Sequence, residues 1–173
     1  MLARAAVSSI TVKPIGPFDL GRLTRLHRAC FEDPWSRTDL AHLLALPGGF
    51  GLLARLYEGG FSGLDAMRGV GFSICRIAAD ECELLSIGVN PGYRRRRVGD
   101  ALLQESMRRC RDAGARVMFL EVAVDNAAAQ LLYSRHGFEQ VGVRLDYYNR
   151  SNGCRMDAYT MSCPLVETTD VEV

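Results

Sequence analysis

The chain has 173 residues, of which 48% are apolar and 24% charged, and its formal net charge is +1. These values predict a single domain spanning 1–173, and the near-zero charge disfavours nucleic-acid-binding and membrane-surface proteins. Six cysteines without a CxxC pair or a histidine at metal spacing indicate free thiols, no metal and a reducing cytoplasm. The sequence has no signal peptide pattern and no run of about 18 apolar residues, so we expect no membrane helix.

The first half of the chain predicts one strand, two helices and then three strands. "SSITVKPI" alternates as a strand does, and "FDLGRLTRLHRACF" repeats apolar residues at helical spacing. "WSRTDLAHLLAL" predicts a second helix with Ser36 as its N-cap. A meander of three strands is indicated by the runs "FGLLARLY", "GVGFSICRIA" and "CELLSIGV".

The second half predicts a helix, a strand, a helix and two strands. Helical spacing runs from Gly99 to Arg111, and Gly114 is the predicted C-terminal stop of this helix. The segment "RVMFLEVAV" is apolar enough to predict a strand buried on both faces. "NAAAQLLYSRHG" predicts a helix capped by Asp125 or Asn126, before the strands "FEQVGVRLDYY" and "DAYTMSCPL". This order indicates a mixed α/β domain built round one sheet, with 166–173 as a disordered tail.

Four consecutive arginines, Arg94 to Arg97, stand where the strand "ELLSIGV" leads into a helix. A helix N-terminus repels cations, so this placement predicts a bound anion nearby. Gly99 would let the backbone approach that anion, and guanidinium groups suit phosphate oxygens. A solvated basic turn is the alternative, and a nucleic-acid patch is a weaker one because the net charge is near zero.

The residues from Ile87 to Phe138 carry a resemblance to a known family. "IGVNPGYRRRRVGDALL" and "FLEVAVDNAAAQLLYSRHGF" resemble the core of the GNAT acetyltransferases, whose signature is Arg or Gln, two residues, Gly, one residue, and Gly or Ala. That signature corresponds here to Arg94 through Gly99, with Arg97 at the position of the first glycine. If this position needs a positive φ, the arginine costs about 1 kcal/mol.

The resemblance implies a fold and a cofactor. The fold is a mostly antiparallel, twisted sheet of about seven strands with four flanking helices, splayed between the fourth and fifth strands. The cofactor is acetyl-CoA, with its pyrophosphate in the arginine loop and its pantetheine along the fourth strand. The cofactor-binding residues implied in this way are Ile87, Gly88, Val89, Arg95, Arg96, Arg97, Val98, Gly99, Asp100 and Asn126.

Two residues are candidates for catalysis. Glu121 is an acid inside the apolar strand "MFLEVAV", and the resemblance makes it the base that deprotonates an amine; the alternative is a strand-edge charge or an arginine partner. Tyr133 would donate a proton to the CoA thiolate, whereas the alternative is a helix residue with its hydroxyl at the surface. His27 and His136 are expected to be ordinary helix residues.

"FLEVAVDNAAAQLLYSRHGFEQVGVRLDYY" and "GCRMDAYTM" are similar to RimI-type ribosomal-protein N-terminal alanine acetyltransferases. This similarity implies acetyl transfer to the N-terminal alanine of a ribosomal protein, with Tyr147, Tyr148 and Asp157 lining the peptide groove unless they only pack in the terminal strands. Acetylation of a small amine is the alternative within the same class. An acyl-CoA-binding or ribosome-binding module without catalysis is the alternative from another class.

Overall fold

The computed structural model describes residues 9–57, 68–149, 153 and 155–165. Within these ranges the elements in chain order are β1 Ser9–Pro14, α1 Leu20–Cys30, α2 Arg37–Ala45, β2 Gly49–Tyr57, β3 Arg68–Ala78, β4 Glu81–Val89, a short 3-10 turn Pro91–Tyr93, α3 Val98–Asp112, β5 Val117–Ala123, α4 Ala127–Arg135, β6 Glu139–Asn149 and β7 Arg155–Pro164. The predicted order of elements is confirmed. The predicted disordered tail at 166–173 lies outside the described residues.

Local chemistry explains where several of these elements begin and end. The Ser36 hydroxyl accepts the backbone N–H of Asp39, while the Asp39 carboxylate accepts the N–H of Ser36, forming a capping box for α2. Asn126 caps α4 by accepting the N–H of Ala129 at 3.2 Å. Gly114 adopts a φ of 94° just after α3, a backbone conformation that residues other than glycine rarely take.

The seven strands form one sheet in the order β1-β2-β3-β4-β5-β7-β6. Every neighbouring pair is antiparallel except β4 and β5, which run parallel. Helices α1 and α2 bury a cluster that includes Leu23, Leu40 and Phe72, whereas α3 covers another cluster that includes Leu52 and Leu102. The mixed α/β fold with a mostly antiparallel sheet and four helices is therefore confirmed.

One strand is less buried than the sequence predicts. Along β5, Met118, Leu120 and Val122 are buried, but the alternate residues Phe119 and Glu121 are only partly covered. The reason is that α1 and α2 pack chiefly against β2, β3 and β4, so they leave that face of β5 open. The prediction of a strand buried on both faces was wrong, because the face that carries Phe119 and Glu121 is only partly covered.

No helix in the described ranges reaches both the length and the hydropathy of a membrane-crossing helix.

Candidate active site

A gap opens between the two parallel strands at the middle of the sheet. β4 and β5 are paired only from Glu81–Leu84 to Val117–Leu120, and beyond Leu84 and Leu120 they diverge. Backbone groups on the separated ends have therefore lost their neighbouring strand, and such groups need another partner. The predicted splay between the fourth and fifth strands is confirmed.

The separated end of β4 turns specific backbone donors toward the gap. The N–H of Asn90 donates to the carbonyl of Val70 on β3 at 2.9 Å. Since backbone groups alternate in direction along a strand, the N–H groups of Ile87 and Val89 face away from β3, toward the gap. Gly88 lies in close packing contact with its neighbours, because a Cβ there would lie 2.7 Å from the Phe72 ring and 3.0 Å from the Cys30 sulfur.

The arginine loop adopts an unusual backbone between β4 and α3. Arg95 and Arg97 both have a φ of 61°, in the left-handed region that residues with a Cβ seldom adopt. Alternation with left-handed residues turns successive N–H groups toward one concave side, which is how anion-binding loops are built. Arg97 thus occupies the glycine-like conformation that the signature suggests, at an expected cost of about 1 kcal/mol.

Positive charge and free donors meet at the start of α3. Arg97 is the N-cap and makes no side-chain capping bond, so the first N–H groups of the helix, from Val98 onward, have no cap among the described residues. Arg94 donates from Nε to the carbonyl of Val89 at 3.3 Å, which directs this side chain to the gap, and the Arg96 guanidinium lies 5.4 Å from the Tyr93 ring centre. This donor set fits a pyrophosphate.

Asp100 and Gly99 fix the position of α4 relative to that loop. The Asp100 carboxylate contacts Arg135 at 3.3 Å and His136 at 3.2 Å, which lie at the end of α4. A Cβ at Gly99 would lie 3.3 Å from Leu132 of α4, so the glycine permits the close approach of the two helices. Asp100 therefore already has partners within the protein, although it was predicted to bind the cofactor.

Glu121 is the first residue of β5 beyond the paired segment. Its side chain is 10% exposed, and Oε1 accepts from Nη1 of Arg144 on β6 in a short ion pair. Oε2 is buried and has no hydrogen-bond partner among the described residues. Glu121 is therefore paired with an arginine, as the alternative interpretation of this carboxylate expected. Its Oε2 is unpaired among the described residues, as a proton acceptor requires.

A bulge in β6 brings aromatic residues to the same place. Pairing of β6 with β7 is interrupted between Arg144 and Tyr148, and Asp146 in this interval has a φ of 55°. The Asp157 carboxylate accepts the N–H of Asp146 at 2.9 Å and so holds the bulge. Tyr148 donates its hydroxyl to the backbone carbonyl of Glu121 at 3.2 Å.

Tyr133 is a buried residue, so the alternative of a helix residue with its hydroxyl at the surface was wrong. It is 5% exposed, and its ring packs against Phe138 with 5.8 Å between ring centres. Burial, with a smaller contribution from Tyr148, raises the pKa of Tyr133. Burial and then Glu121 raise the pKa of Tyr148, so the two tyrosines and Glu121 belong to one electrostatic neighbourhood.

The two histidines differ from each other. His27 is 2% exposed and stacks on Phe31 and Trp35, and its Nδ1 accepts the Trp35 N–H at 3.2 Å. Burial lowers the pKa of His27 to about 4. His136 contacts Asp100 as described above. Within the described ranges, no three His, Cys, Asp or Glu side chains are grouped as metal ligands.

The sequence of the chain matches a known family over residues 20–138, and the family is described as the acetyltransferase (GNAT) family. The matched segment contains the separated strands, the arginine loop, Glu121 and Tyr133. The chain belongs to the GNAT family.

Named relatives within this family agree with one another. A ribosomal protein bS18-alanine N-acetyltransferase from Escherichia coli (strain K12) is 37% identical over 94 residues, which cover 54% of this chain and 63% of the relative, so this alignment spans less than two thirds of that relative's length. The N-alpha-acetyltransferase RimI of Mycobacterium tuberculosis is 34% identical over 160 residues, covering 91% of this chain and 94% of the relative.

A solved structure gives the same picture. The crystal structure of the ribosomal-protein-S18-alanine N-acetyltransferase from Escherichia coli superposes with a TM-score of 0.79 at 27% identity, covering 95% of this chain and 99% of that chain. The GNAT fold of this chain is therefore supported by sequence and by coordinates.

Two charged residues at this GNAT site were not singled out by the sequence. Arg144 pairs with Glu121 although 23 positions separate them, and no local pattern signals such a contact. Glu83 on β4 has its pKa raised by burial and by Glu121. The sequence shows that Glu83 alternates with the apolar residues Cys82 and Leu84 along β4. Only the parallel register of β4 on β5 places Glu83 near Glu121.

Proposed function

We propose that this chain transfers the acetyl group of acetyl-CoA to the N-terminal α-amine of a protein, namely the alanine amine of a ribosomal protein in the cytoplasm. The observation that carries the proposal is the position of Glu121. It is the first residue of β5 past the point where β4 and β5 separate, and one oxygen of its buried carboxylate has no partner among the described residues. This position supports Glu121 as a base beside the gap that would admit a thioester.

The protein would supply donors for the pyrophosphate and for the pantetheine arm of acetyl-CoA. Arg95, Arg96 and Arg97, with the first N–H groups of α3, would hold the pyrophosphate. The N–H groups of Ile87 and Val89 would bind the pantetheine amides and polarise the thioester carbonyl. Asn126, besides capping α4, is predicted to contact the cofactor. Bound in this way, acetyl-CoA supplies an activated acyl group, and the protein contributes orientation and charge.

Glu121 would take a proton from the acceptor amine, directly or through one water. An α-amine has an ordinary pKa of about 7.7–8.0, so near neutral pH most of it carries a proton that must leave before attack. A carboxylate is a sufficient base for this step because the pKa of the amine lies only slightly above that pH. The free Oε2 is the atom that would receive the proton.

Tyr133 would return a proton to the CoA thiolate. Its raised pKa keeps the phenol protonated at neutral pH, as a general acid requires. The same burial makes proton release harder, because a phenolate is penalised in an apolar site. A thiolate in that surrounding is penalised too, so the proton transfer stays feasible.

The nature of the acceptor is supported by the relatives. The Escherichia coli relative is named for the alanine of bS18, and the Mycobacterium tuberculosis relative for N-alpha acetylation. Tyr147 and Tyr148, beside Glu121, present aromatic surface of the kind that would contact an extended peptide. A small-molecule amine remains the second candidate acceptor.

A direct assay tests the proposal. The purified protein is incubated with acetyl-CoA and with alanine-starting peptides, the same peptides blocked at the α-amine, and polyamines, and CoA release is measured. We expect turnover on the free alanine peptides alone. Turnover on polyamines alone would favour the small-amine acceptor, and tight CoA binding with no turnover on any acceptor would favour a non-catalytic module.

The Glu121→Gln variant tests the base within the same assay. The substitution preserves shape and removes the proton acceptor, so kcat/KM should fall roughly 10²–10⁴-fold at neutral pH and less at high pH, where the amine is already free. Glu139→Gln, an exposed carboxylate on β6, is the matched control and should behave as the wild type. An equal loss at every pH would assign Glu121 a positioning role.

A further inference from the structure

The carboxylate of Glu121 is held at one oxygen and free at the other. Oε1 is engaged by the Arg144 guanidinium, whereas the buried Oε2 has no hydrogen-bond partner among the described residues. A buried carboxylate oxygen without a donor is costly, so this arrangement is maintained by the rest of the ion pair. Arg144 itself is 58% exposed, against 10% for Glu121, so the arginine lies at the rim and the carboxylate beneath it.

Rotation of the carboxylate would exchange its two oxygens unless one of them were fixed. A charged donor on Oε1 fixes the plane of the group, since charge-assisted bonds are short and directional. Oε2 is then the oxygen that is left to accept a proton. The contact with Arg144 thus determines which atom of Glu121 is available.

Arg144 is in turn held by its surroundings on β6. Its guanidinium carbon lies 5.0 Å from the ring centre of Tyr147, within cation–π range. Arg144 borders the bulge and Tyr147 lies within it. The Asp157 carboxylate holds this bulge by accepting the N–H of Asp146. These contacts restrict the positions that the Arg144 guanidinium can take.

We propose that Arg144 is a positioning residue for acetyl transfer, which holds the carboxylate of Glu121 so that Oε2 is presented to the acceptor amine. The inference rests on the proposed function, in which Glu121 is the base. It adds a residue whose side chain touches neither the acetyl group nor CoA in the reaction.

Charge gives Arg144 a second effect on the same group. Glu83 from β4 and Glu121 from β5 lie close enough to repel each other, and Arg144 and Arg76 oppose that repulsion. Tyr147 and Tyr148 also face the Glu121 carboxylate from β6. Burial and then a hydrogen bond to this carboxylate raise the pKa of Tyr147, and burial and then the charge of Glu121 raise the pKa of Tyr148. Removing Arg144 leaves the two carboxylates with less compensating positive charge.

The experiment compares the full-length wild type with Arg144→Gln, Arg144→Lys and Arg144→Gly, using acetyl-CoA and an alanine-starting peptide. We expect Arg144→Gln to lower kcat about 10–10²-fold, because a misplaced catalytic group loses rate in this range, with little change in the KM for acetyl-CoA. Its acid limb of the pH–rate profile should move to higher pH. Arg144→Lys should retain part of the activity.

A purely structural role would not give the next result. Because Arg144 is largely exposed, guanidinium ions at millimolar concentration should reach the space left in Arg144→Gly and restore part of kcat. Arg108→Gln is the matched control: Arg108 is 52% exposed and pairs with Glu105 on α3, so its loss should not alter kcat or the pH profile. Circular dichroism verifies that each variant is folded.

Several outcomes would overturn the inference. An Arg144→Gln enzyme with unchanged kcat would show that Glu121 needs no positioning, and one with raised kcat would identify Arg144 as an inhibitory cover. Loss of activity in both the Gln and Lys variants, without guanidinium rescue or a pH shift, would indicate a structural role. If the wild type acetylates a small amine instead, the same comparison is run with that amine.

Failure of the proposed function is distinguished by Glu121→Gln. An active wild type, an impaired Glu121→Gln and fully active Arg144 variants would reject this inference alone. A wild type that transfers acetyl to no acceptor would reject both proposals.

Discussion

The left-handed arginine at the start of α3 should make glycine more stabilising than alanine at that position. Arg97 has a φ of 61° and an exposed side chain, so replacing it removes a charge and little packing. A Cβ in this conformation costs about 1–2 kcal/mol, while the greater freedom of glycine in the unfolded chain costs about 0.5–1 kcal/mol. Arg97→Gly should therefore exceed Arg97→Ala in stability by roughly 0.5–1 kcal/mol.

Thermal unfolding followed by circular dichroism measures the difference. Both variants lose the same charge, so the comparison isolates the backbone. For a chain of this size 1 kcal/mol corresponds to about 2–4 °C in Tm, and we expect Arg97→Gly to melt about 1–4 °C above Arg97→Ala. At Gln104, exposed in the middle of α3, the order should reverse, with glycine about 1 kcal/mol less stable than alanine. An Arg97→Gly protein that melts at or below Arg97→Ala would refute the reasoning.

Three further predictions concern the arginine loop, Tyr133 and the buried histidine. Replacing Arg95 and Arg96 by Glu should weaken CoA binding by more than the ~1 kcal/mol of an exposed charge, measured by calorimetry, whereas Arg116→Glu at the other end of β5 should leave the affinity unchanged. Tyr133→Phe should lower kcat and kcat/KM together, by about 10²-fold, with CoA affinity and Tm nearly constant; a variant with full kcat would leave water as the proton donor. Burial lowers the pKa of His27 to about 4 from an unfolded value near 6.5, so between these pH values the unfolded chain binds a proton that the folded chain does not. The folded state therefore has its full stability above pH 6.5 and loses stability as the pH falls toward 4. The free energy of unfolding should drop by roughly 2–3 kcal/mol between pH 7.5 and 4.5, and a His27→Asn variant that kept this whole pH dependence would assign it to other groups.

The sequence was sufficient for the elements of the fold because their signals are local. Helical spacing, the Ser36 cap and the glycines after α3 and α4 act within a few residues, and each predicted the element that the structure contains. The exposure of β5 was not predictable in the same way. It depends on where α1 and α2 pack, and hydrophobicity along "VMFLEVA" does not reveal which face a helix will cover.

The site could be predicted only as far as its residues lie in recognisable motifs. The arginine loop, Glu121 and Tyr133 stand in segments that resemble a family, so the sequence alone identifies them as candidates. Arg144 could not be identified in this way. Its contact with Glu121 depends on the side-by-side order of β5, β7 and β6, and on the bulge in β6 that the Asp157 carboxylate holds. The burial of Tyr133 likewise depends on Phe138 and the core beneath α4.

The short parallel ladder between β4 and β5 makes the stability of the fold depend on what occupies the gap between them. Four residue pairs join the two halves of the sheet, and past them the β4 N–H groups that face away from β3 lack a neighbouring strand. A ligand lying in the gap would supply the missing rungs, so occupancy adds to folding free energy by mass action, about 2.7 kcal/mol at a concentration of 100 times Kd. With acyl-CoA as that ligand, as proposed above, the halves of the sheet would exchange amide hydrogens and resist proteases according to how much acyl-CoA is present, and the abundance of the protein would follow the supply of this ligand.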